Sequence, residues 1–219
     1  GERRYLVDCG GDDGAQNGED VARSLLTQGI RTLDALILTH YDSDHTCGTA
    51  QLLQRVTVAC IYAPAEADDA NNQAELLSLA QEYGFAFHFV TEDERLALTG
   101  GALQLYAPTG SGTDNDGLAV LLSVDTYDIL ITGDMDLKAE HRLLETHALP
   151  DIEVLVAGHH GSKYATGEEL LTALRPETVL ISVGENSYGH PTQETLDRIA
   201  AIGAAVYRTD QVGDISVSR

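Results

Sequence analysis

Apolar residues along this chain come in short runs, and each run ends on a residue suited to chemistry. Tyr5-Leu6-Val7 ends at Asp8, and Leu36-Ile37-Leu38 runs into Thr39 and His40. Ile129-Leu130-Ile131 is soon followed by Asp134, and Val154-Leu155-Val156 by His159 and His160. Val179-Leu180-Ile181 leads through Ser182 and Asn186 to His190. Brief aliphatic and β-branched runs bounded by Gly or Asp predict buried strands rather than helices. Between them the period lengthens. Val21, Leu25 and Leu26 share a helical face ahead of Gly29, and the segment 72–83 stops in the same way at Gly84. Thr166 and Glu169 stand at capping-box spacing at the head of a helix that stops before Pro176, and a further helix follows Pro191 and stops at Gly203. The segments 85–108 and 118–132 predict successive strands with tight turns, hence antiparallel hairpins in a mixed sheet.

In a layered α/β domain of this kind, functional side chains gather beyond the carboxyl ends of the strands. Five strands delivering polar residues there point to one shared site. Its densest contribution is "LTHYDSDHTCG" at 38–48, which sets His40, Asp42, Asp44 and His45 directly after a strand. A tight loop of this form can serve two metal ions, with His40 and Asp42 on one and Asp44 and His45 on the other. Two ions about 3.5–4 Å apart activate a water and clamp the attacking and leaving oxygens of a displacement. Asp134 supplies a carboxylate able to bridge them, and His159 and His160 can complete the second site. A capped, solvated turn could produce the same string by itself. The presence of Asp8, "TGD" and "GHHGS" after separate strands makes that the weaker reading. Asp8 is expected to orient a ligand histidine from behind.

The strings "LVDCGG", "THYDSDH", "TGD" and "AGHHGSKYAT", in that order, resemble the metallo-β-lactamase fold. More narrowly, "HHGSKYAT", "LISVGENSYGHP" and "VYRTDQVGDISV" are similar to the C-terminal hydrolase domain of the ComEC family of competence DNA-uptake channel proteins. The resemblance implies an α/β fold: a four-layer αββα sandwich with mixed sheets, a single domain over 1–219 that lacks the fold's first strand. It implies two divalent ions, manganese or zinc, held by His40, Asp42, Asp44, His45 and Asp134 with one or both of His159 and His160. His160 is preferred as the ligand and His159 as a partner facing the substrate phosphate. Asn115 stands where other members of the fold carry a ligand histidine, which leaves one ion with fewer protein ligands. Asp42 replaces a second histidine, and the extra carboxylate hardens the site, shifting preference from zinc towards manganese or iron.

Lys163 offers a positive charge near a substrate phosphate, against the alternative of a solvated loop lysine. His190, at a strand-to-helix turn, is a proton donor or outer ligand, or else a helix-start residue bonded to backbone. His88, His141 and His147 have no such placement, and Cys47 reads as a small packed hydrophobe rather than a ligand. The expected chemistry is metal-dependent phosphodiester hydrolysis with Asp44 orienting the attacking water, most specifically a nuclease on a single DNA strand during uptake. A phosphorylcholine esterase or another small-substrate hydrolase (lactonase or lactamase) is the alternative enzyme, and a degenerate binding module the alternative from another class.

Charge narrows the partners. The chain carries 35 Asp and Glu against 13 Lys and Arg, a net charge of −22. A surface this acidic disfavours broad electrostatic gripping of duplex nucleic acid, but not a polyanion whose reacting phosphate is held by metal ions. Three cysteines are an odd number and do not identify a compartment. No apolar run reaches eighteen residues, so the chain has no membrane span. The expected location is the extracytoplasmic face of a bacterial membrane, tethered to a channel domain, or the secreted fraction.

Overall fold

The computed structural model describes residues 3–66, 69–110 and 116–218. The first half carries strands β1 (Tyr5–Val7), β2 (Thr32–Leu33), β3 (Ala35–Ile37), β4 (Thr57–Val58), β5 (Cys60–Pro64) and β6 (Ala86–Val90). The second carries β7 (Glu94–Leu98), β8 (Gly101–Tyr106), β9 (Ala119–Val124), β10 (Tyr127–Ile131), β11 (Val154–Val156), β12 (Thr178–Ile181) and β13 (Ala205–Arg208). The helices are α1 (Gly14–Thr27), α2 (Ser43–Thr46), α3 (Thr49–Leu53), α4 (Ala70–Tyr83), α5 (Leu137–Thr146), α6 (Glu168–Leu174), α7 (Gln193–Ala201) and α8 (Thr209–Val212).

Two sheets face each other. One is ordered β1-β3-β5-β6 and is parallel throughout; the other runs β13-β12-β11-β10-β9-β8-β7, with β2 and β4 forming a small separate pair. In the larger sheet β7 to β10 form an antiparallel meander, after which β10 to β13 run parallel. Parallel neighbours need crossovers, and α1, α2 with α3, α4, α5, α6 and α7 supply them.

The layering follows from the two-residue period of a strand. Leu36 and Leu38 point into a core shared with Ala22, Leu52 and Leu76 of the first helical layer, while Ile37 between them joins Val90, Leu105 and Val120 in the space between sheets. On the far side Leu121 and Leu130 meet Leu143, Leu171 and Ile199 of the second helical layer. Three apolar interlayers separate four layers, helix, sheet, sheet and helix. Strands buried on both faces explain why the apolar runs are continuous rather than alternating.

Two expectations from the sequence need correction. Residues 86–90 do not open a hairpin: β6 pairs in parallel with β5, and the chain then crosses at 91–93 into the other sheet. Thr166 does not cap α6. It has φ 53°, Gly167 is the cap residue, and the Thr166 hydroxyl accepts instead from Gly158 N–H at 3.0 Å. Helix α5 went unpredicted, although Asp136 caps it through Lys138 and Ala139 N–H. No helix of the described residues is long and apolar enough to cross a membrane.

Glu140 of α5 ties the two helical ends together. It is 2% exposed, and its oxygens accept from Thr166 N–H at 2.5 Å and Gly167 N–H at 2.8 Å. Burial pushes its carboxyl from the ordinary 4.5 up to about 7, against those amides, which favour the ionised form. A carboxyl raised on folding binds more protons folded than unfolded, so its contribution to stability is whole below pH 4.5 and is lost as pH climbs to about 7. Denaturant titrations should therefore show the wild type losing stability relative to Glu140→Gln across that window. A difference that is constant with pH would contradict the raised carboxyl.

Candidate metal centre

Asp8 leaves β1 in a left-handed conformation, φ 57°, that turns its side chain towards the end of β3. There Oδ1 accepts from Thr39 N–H at 2.7 Å, and Oδ2 accepts from the Thr39 hydroxyl at 2.8 Å and contacts His45 Nδ1 at 2.9 Å. The Thr39 hydroxyl has spent its one proton on Asp8, so towards His40 Nδ1, 3.0 Å away, it acts as acceptor. His160 Nδ1 lies 2.8 Å from Ser182 O, which can only accept. Each of these histidines is thus protonated at Nδ1 and presents Nε2 inward.

What they face is Asp134, 6% exposed, in the turn after β10. Its Oδ1 lies 3.1 Å from His45 Nε2, while Oδ2 lies 3.6 Å from His159 Nε2 and 3.9 Å from His40 Nε2. Asp42 Oδ2 is 3.7 Å from His40 Nε2, and Asp44 Oδ2 is 3.3 Å from His160 Nε2. Two groups of like composition therefore flank one carboxylate: His40, Asp42 and His159 on one side, Asp44, His45 and His160 on the other. Donor atoms of Asp44, His45, Asp134 and His160 all lie within 4.8 Å of one another.

The group fits divalent cations. His40 Nε2, His45 Nε2 and Asp134 Oδ1 are buried and make no hydrogen bond among the described residues. Orphaned donors and acceptors packed together are costly unless something charged joins them. Charge within the cluster tells the same story. Burial opposes a cationic His45, but Asp134 and Asp8 on either side push its pKa up to about 11. Burial likewise opposes an ionised Asp134, yet the close approach of His45 at 3.1 Å and the charges of His45, His40 and His159 hold its carboxyl well below the usual range. Asp44 is lowered by His160, and His160 raised by Asp44, each against its own burial.

Of the other residues singled out in the sequence, His190 is half-buried beside the cluster. Its ring stacks on His159 at a centroid distance of 5.7 Å, and burial, then His159 and His160, lower its pKa. Lys163 is exposed with its ammonium 5.1 Å over the Tyr164 ring, and among the described residues it makes no hydrogen bond or ion pair with the cluster. His159, expected to face a substrate phosphate, lies against Asp134 Oδ2 with His40. Asn115 lies outside the described residues. The Cys47 thiol donates to Gly11 O at 3.2 Å. His88, His141 and His147 pair with Glu94, Glu169 and Asp93 at the surface. The sequence reading missed Thr39, Ser182 and Asn186. Thr39, next to His40, was the most accessible of them; Ser182 acts only through its carbonyl, which has no side-chain signature.

The Metallo-beta-lactamase superfamily model matches residues 1–185. The chain belongs to that superfamily. This metallo-β-lactamase domain is 34% identical over 203 residues to ComE operon protein 3 of Bacillus subtilis, covering 90% of this chain and 26% of that protein. It is also 34% identical over 217 residues to competence protein ComA of Neisseria gonorrhoeae, covering 96% of this chain and 28% of that one. The chain thus spans about a quarter of the length of these relatives. Among solved structures, the metallo-β-lactamase fold protein YhfI of Bacillus subtilis is similar in fold, with a TM-score of 0.60 at 15% identity over 94% of this chain and 83% of that one. Metallo-β-lactamase domains typically bind divalent metals, and the cluster around Asp134 is the candidate place for them here.

Two measurements probe this centre. Loading with manganese or zinc is expected to raise the melting temperature, by mass action worth about 2.7 kcal/mol at a hundredfold excess over Kd, and a chelator should reverse the gain. Asp8→Asn, which keeps the shape but turns one of the two acceptor oxygens into an N–H donor, is expected to weaken metal binding roughly 10- to 100-fold in competition with a chromogenic chelator. Wild-type affinity in that variant would remove Asp8 from the orienting role.

Proposed function

We propose that this metallo-β-lactamase domain is a binuclear metal-dependent phosphodiesterase that cuts single-stranded DNA, and that it serves DNA uptake from the extracytoplasmic side as one part of a membrane channel protein. The observation that carries the reading is the sharing of Asp134: one oxygen meets His45 while the other meets His40 and His159. His40, Asp42 and His159 would hold one ion, Asp44, His45 and His160 the other, with Asp134 between. Two ions so placed supply Lewis acidity to a phosphoryl group and its leaving oxygen.

The chain's own residues supply the rest. Asp44 stands exposed at the mouth, and its carboxylate, kept ionised by His160, accepts a hydrogen bond from the attacking water and orients it. His190, kept neutral by burial and its histidine neighbours, is a hydrogen-bond partner for substrate rather than a standing acid. Three carboxylates among seven donors make a hard site, which favours manganese over zinc and phosphoryl oxygen over a lactam carbonyl. The competence proteins to which the chain is similar support the assignment to DNA uptake.

A panel of manganese and zinc against single-stranded DNA, duplex DNA, a chromogenic phosphodiester and a lactam tests the reading. Manganese-stimulated cleavage of the single strand or the simple diester is expected, with little lactam turnover. Asp44→Asn should fold normally and lose about 100- to 1,000-fold in kcat, the scale of other electrostatic catalytic groups. Full activity in that variant would defeat the role of Asp44. Lactam turnover far above diester cleavage would transfer the site to a small-substrate hydrolase, and metal binding without any turnover to a binding module.

A further inference from the structure

Loop 184–190 beside the cluster is organised by one side chain. Asn186 donates to Gly184 O at 3.0 Å and His190 O at 2.9 Å, and its Oδ1 accepts from Tyr188 N–H at 3.1 Å and His190 N–H at 3.0 Å. The loop is then seated on the histidine turn: Thr192 N–H donates to Gly161 O at 2.9 Å, and a Cβ on Gly161 would come within 2.5 Å of Pro191 Cβ. Tyr188 is therefore presented on a braced turn even though its ring is 82% exposed.

That ring begins a row. Tyr188 and His190 have centroids 6.0 Å apart at 33°, His190 and His159 follow at 5.7 Å and 29°, and His159 Nε2 is 3.6 Å from Asp134. Other tyrosines are exposed, such as Tyr164 and Tyr207, but among the described residues Tyr188 is the one whose ring lines up with the cluster histidines in this way. An exposed aromatic face two ring steps from a site for phosphodiesters is suited to a nucleobase, because every base has a π-face and stacking tolerates sequence. The chain also has little else to hold a strand with. A net charge of −22 disfavours broad electrostatic gripping, which on this reading places affinity in the metal-held phosphate and in uncharged contacts.

We infer that Tyr188 is a stacking platform which seats an unpaired nucleobase beside the reacting phosphate. The inference rests on the phosphodiesterase reading above and sharpens it: the substrate is a nucleic acid with exposed bases, not a phosphodiester at large, and a paired duplex is rejected because its bases cannot reach the ring. Tyr188 sets specificity and takes no part in bond breaking.

The test compares a short oligothymidylate with an abasic oligomer of equal length, on wild type, Tyr188→Phe and Tyr188→Ala. Cleavage is followed in manganese, and binding is followed separately by fluorescence anisotropy, also in manganese, on non-hydrolysable backbone analogues of both oligomers. Wild type and Tyr188→Phe are expected to favour the base-bearing oligomer roughly 5- to 100-fold, in kcat/KM through KM and in Kd. In Tyr188→Ala both ratios should fall towards one. A ratio in Tyr188→Ala equal to wild type, or no base preference in the wild type, overturns the platform and leaves the hydrolase reading standing. Base-dependent binding through Tyr188 with no cleavage by the wild type upholds the platform and overturns the hydrolase reading.

Discussion

A carboxylate buried as deeply as Asp134 must be paired, and the pairing of Asp134 is what the two sheets are arranged to provide. Removing such an ion from water costs several kcal/mol even after relaxation. Here the cost is offset from three directions, by His45, His40 and His159, on both carboxylate oxygens. The partners come from different sheets: His40 and His45 follow β3 of the parallel sheet, while Asp134 and His159 follow β10 and β11 of the mixed one. The carboxylate therefore acts as a clasp across the open edge of the sandwich. It works only because Asp8, in turn, fixes His45 directly and His40 through the Thr39 hydroxyl. One acidic side chain behind the histidines and one in front of them define the centre.

The second constraint is the turn after β11. His159, His160 and Gly161 all have positive φ, at 48°, 53° and 82°. For residues bearing a Cβ this conformation costs about 1–2 kcal/mol each. The surroundings over-determine it: His159 N–H bonds Gly133 O at 3.0 Å and Ser162 N–H bonds His159 O at 2.9 Å. Beneath the turn, Thr166 takes Gly158 N–H, and Glu140 holds Thr166 in its own left-handed conformation. The effect is geometric. Neighbouring rings that a strand or helix would space differently are set at 82° with centroids 6.4 Å apart, so that adjacent residues serve opposite flanks of Asp134. Gly133 completes the fit, since a Cβ there would lie 2.7 Å from the Thr39 hydroxyl.

These relations decide what was legible in the sequence. Residues that end a buried strand were visible, because a continuous apolar run that stops abruptly on His or Asp marks where the chain leaves the core carrying a polar side chain. Asp8, His40, Asp134 and His159 all stand at such points. Their convergence was legible from the parallel alternation, since strands running the same way bring their carboxyl ends to one edge. The division of labour between His159 and His160 was not, because it depends on a left-handed backbone that His, unlike Gly, does not advertise. Glu140 was invisible for a different reason: its role is played across 26 residues, and on a helix its sequence neighbours look like those of any amphipathic face. Residues 86–90 misled because an apolar strand of that length pairs equally well in parallel or antiparallel fashion, and only the position of its partner β5 decides. The metallo-β-lactamase resemblance supplied the four layers as a whole, which local pattern alone suggested only as alternating elements.

The remaining tension is between the charge of the chain and the charge of the proposed substrate. A polyanion approaching a surface of net charge −22 meets repulsion that grows as ionic strength falls, the reverse of ordinary nucleic-acid binding. Attraction can win only locally, where Asp134 and its neighbours would gather divalent cations into a small volume at the edge of the sandwich. Two divalent ions would bring four positive charges against the carboxylates of Asp42, Asp44 and Asp134 and that of Asp8 behind the histidines, so loading would neutralise the centre inside an otherwise acidic surface. A phosphate that reached the ions would meet them directly, while phosphates still in solvent would meet the acidic surface. A flexible single strand can present one phosphate at a time to a spot of this size. A stiff duplex brings many phosphates against the acidic rim together, and the repulsion adds. On the proposed reading the acidic surface would filter for slender, flexible substrates, and the braced loop bearing Tyr188 would stand where such a strand lays down a base.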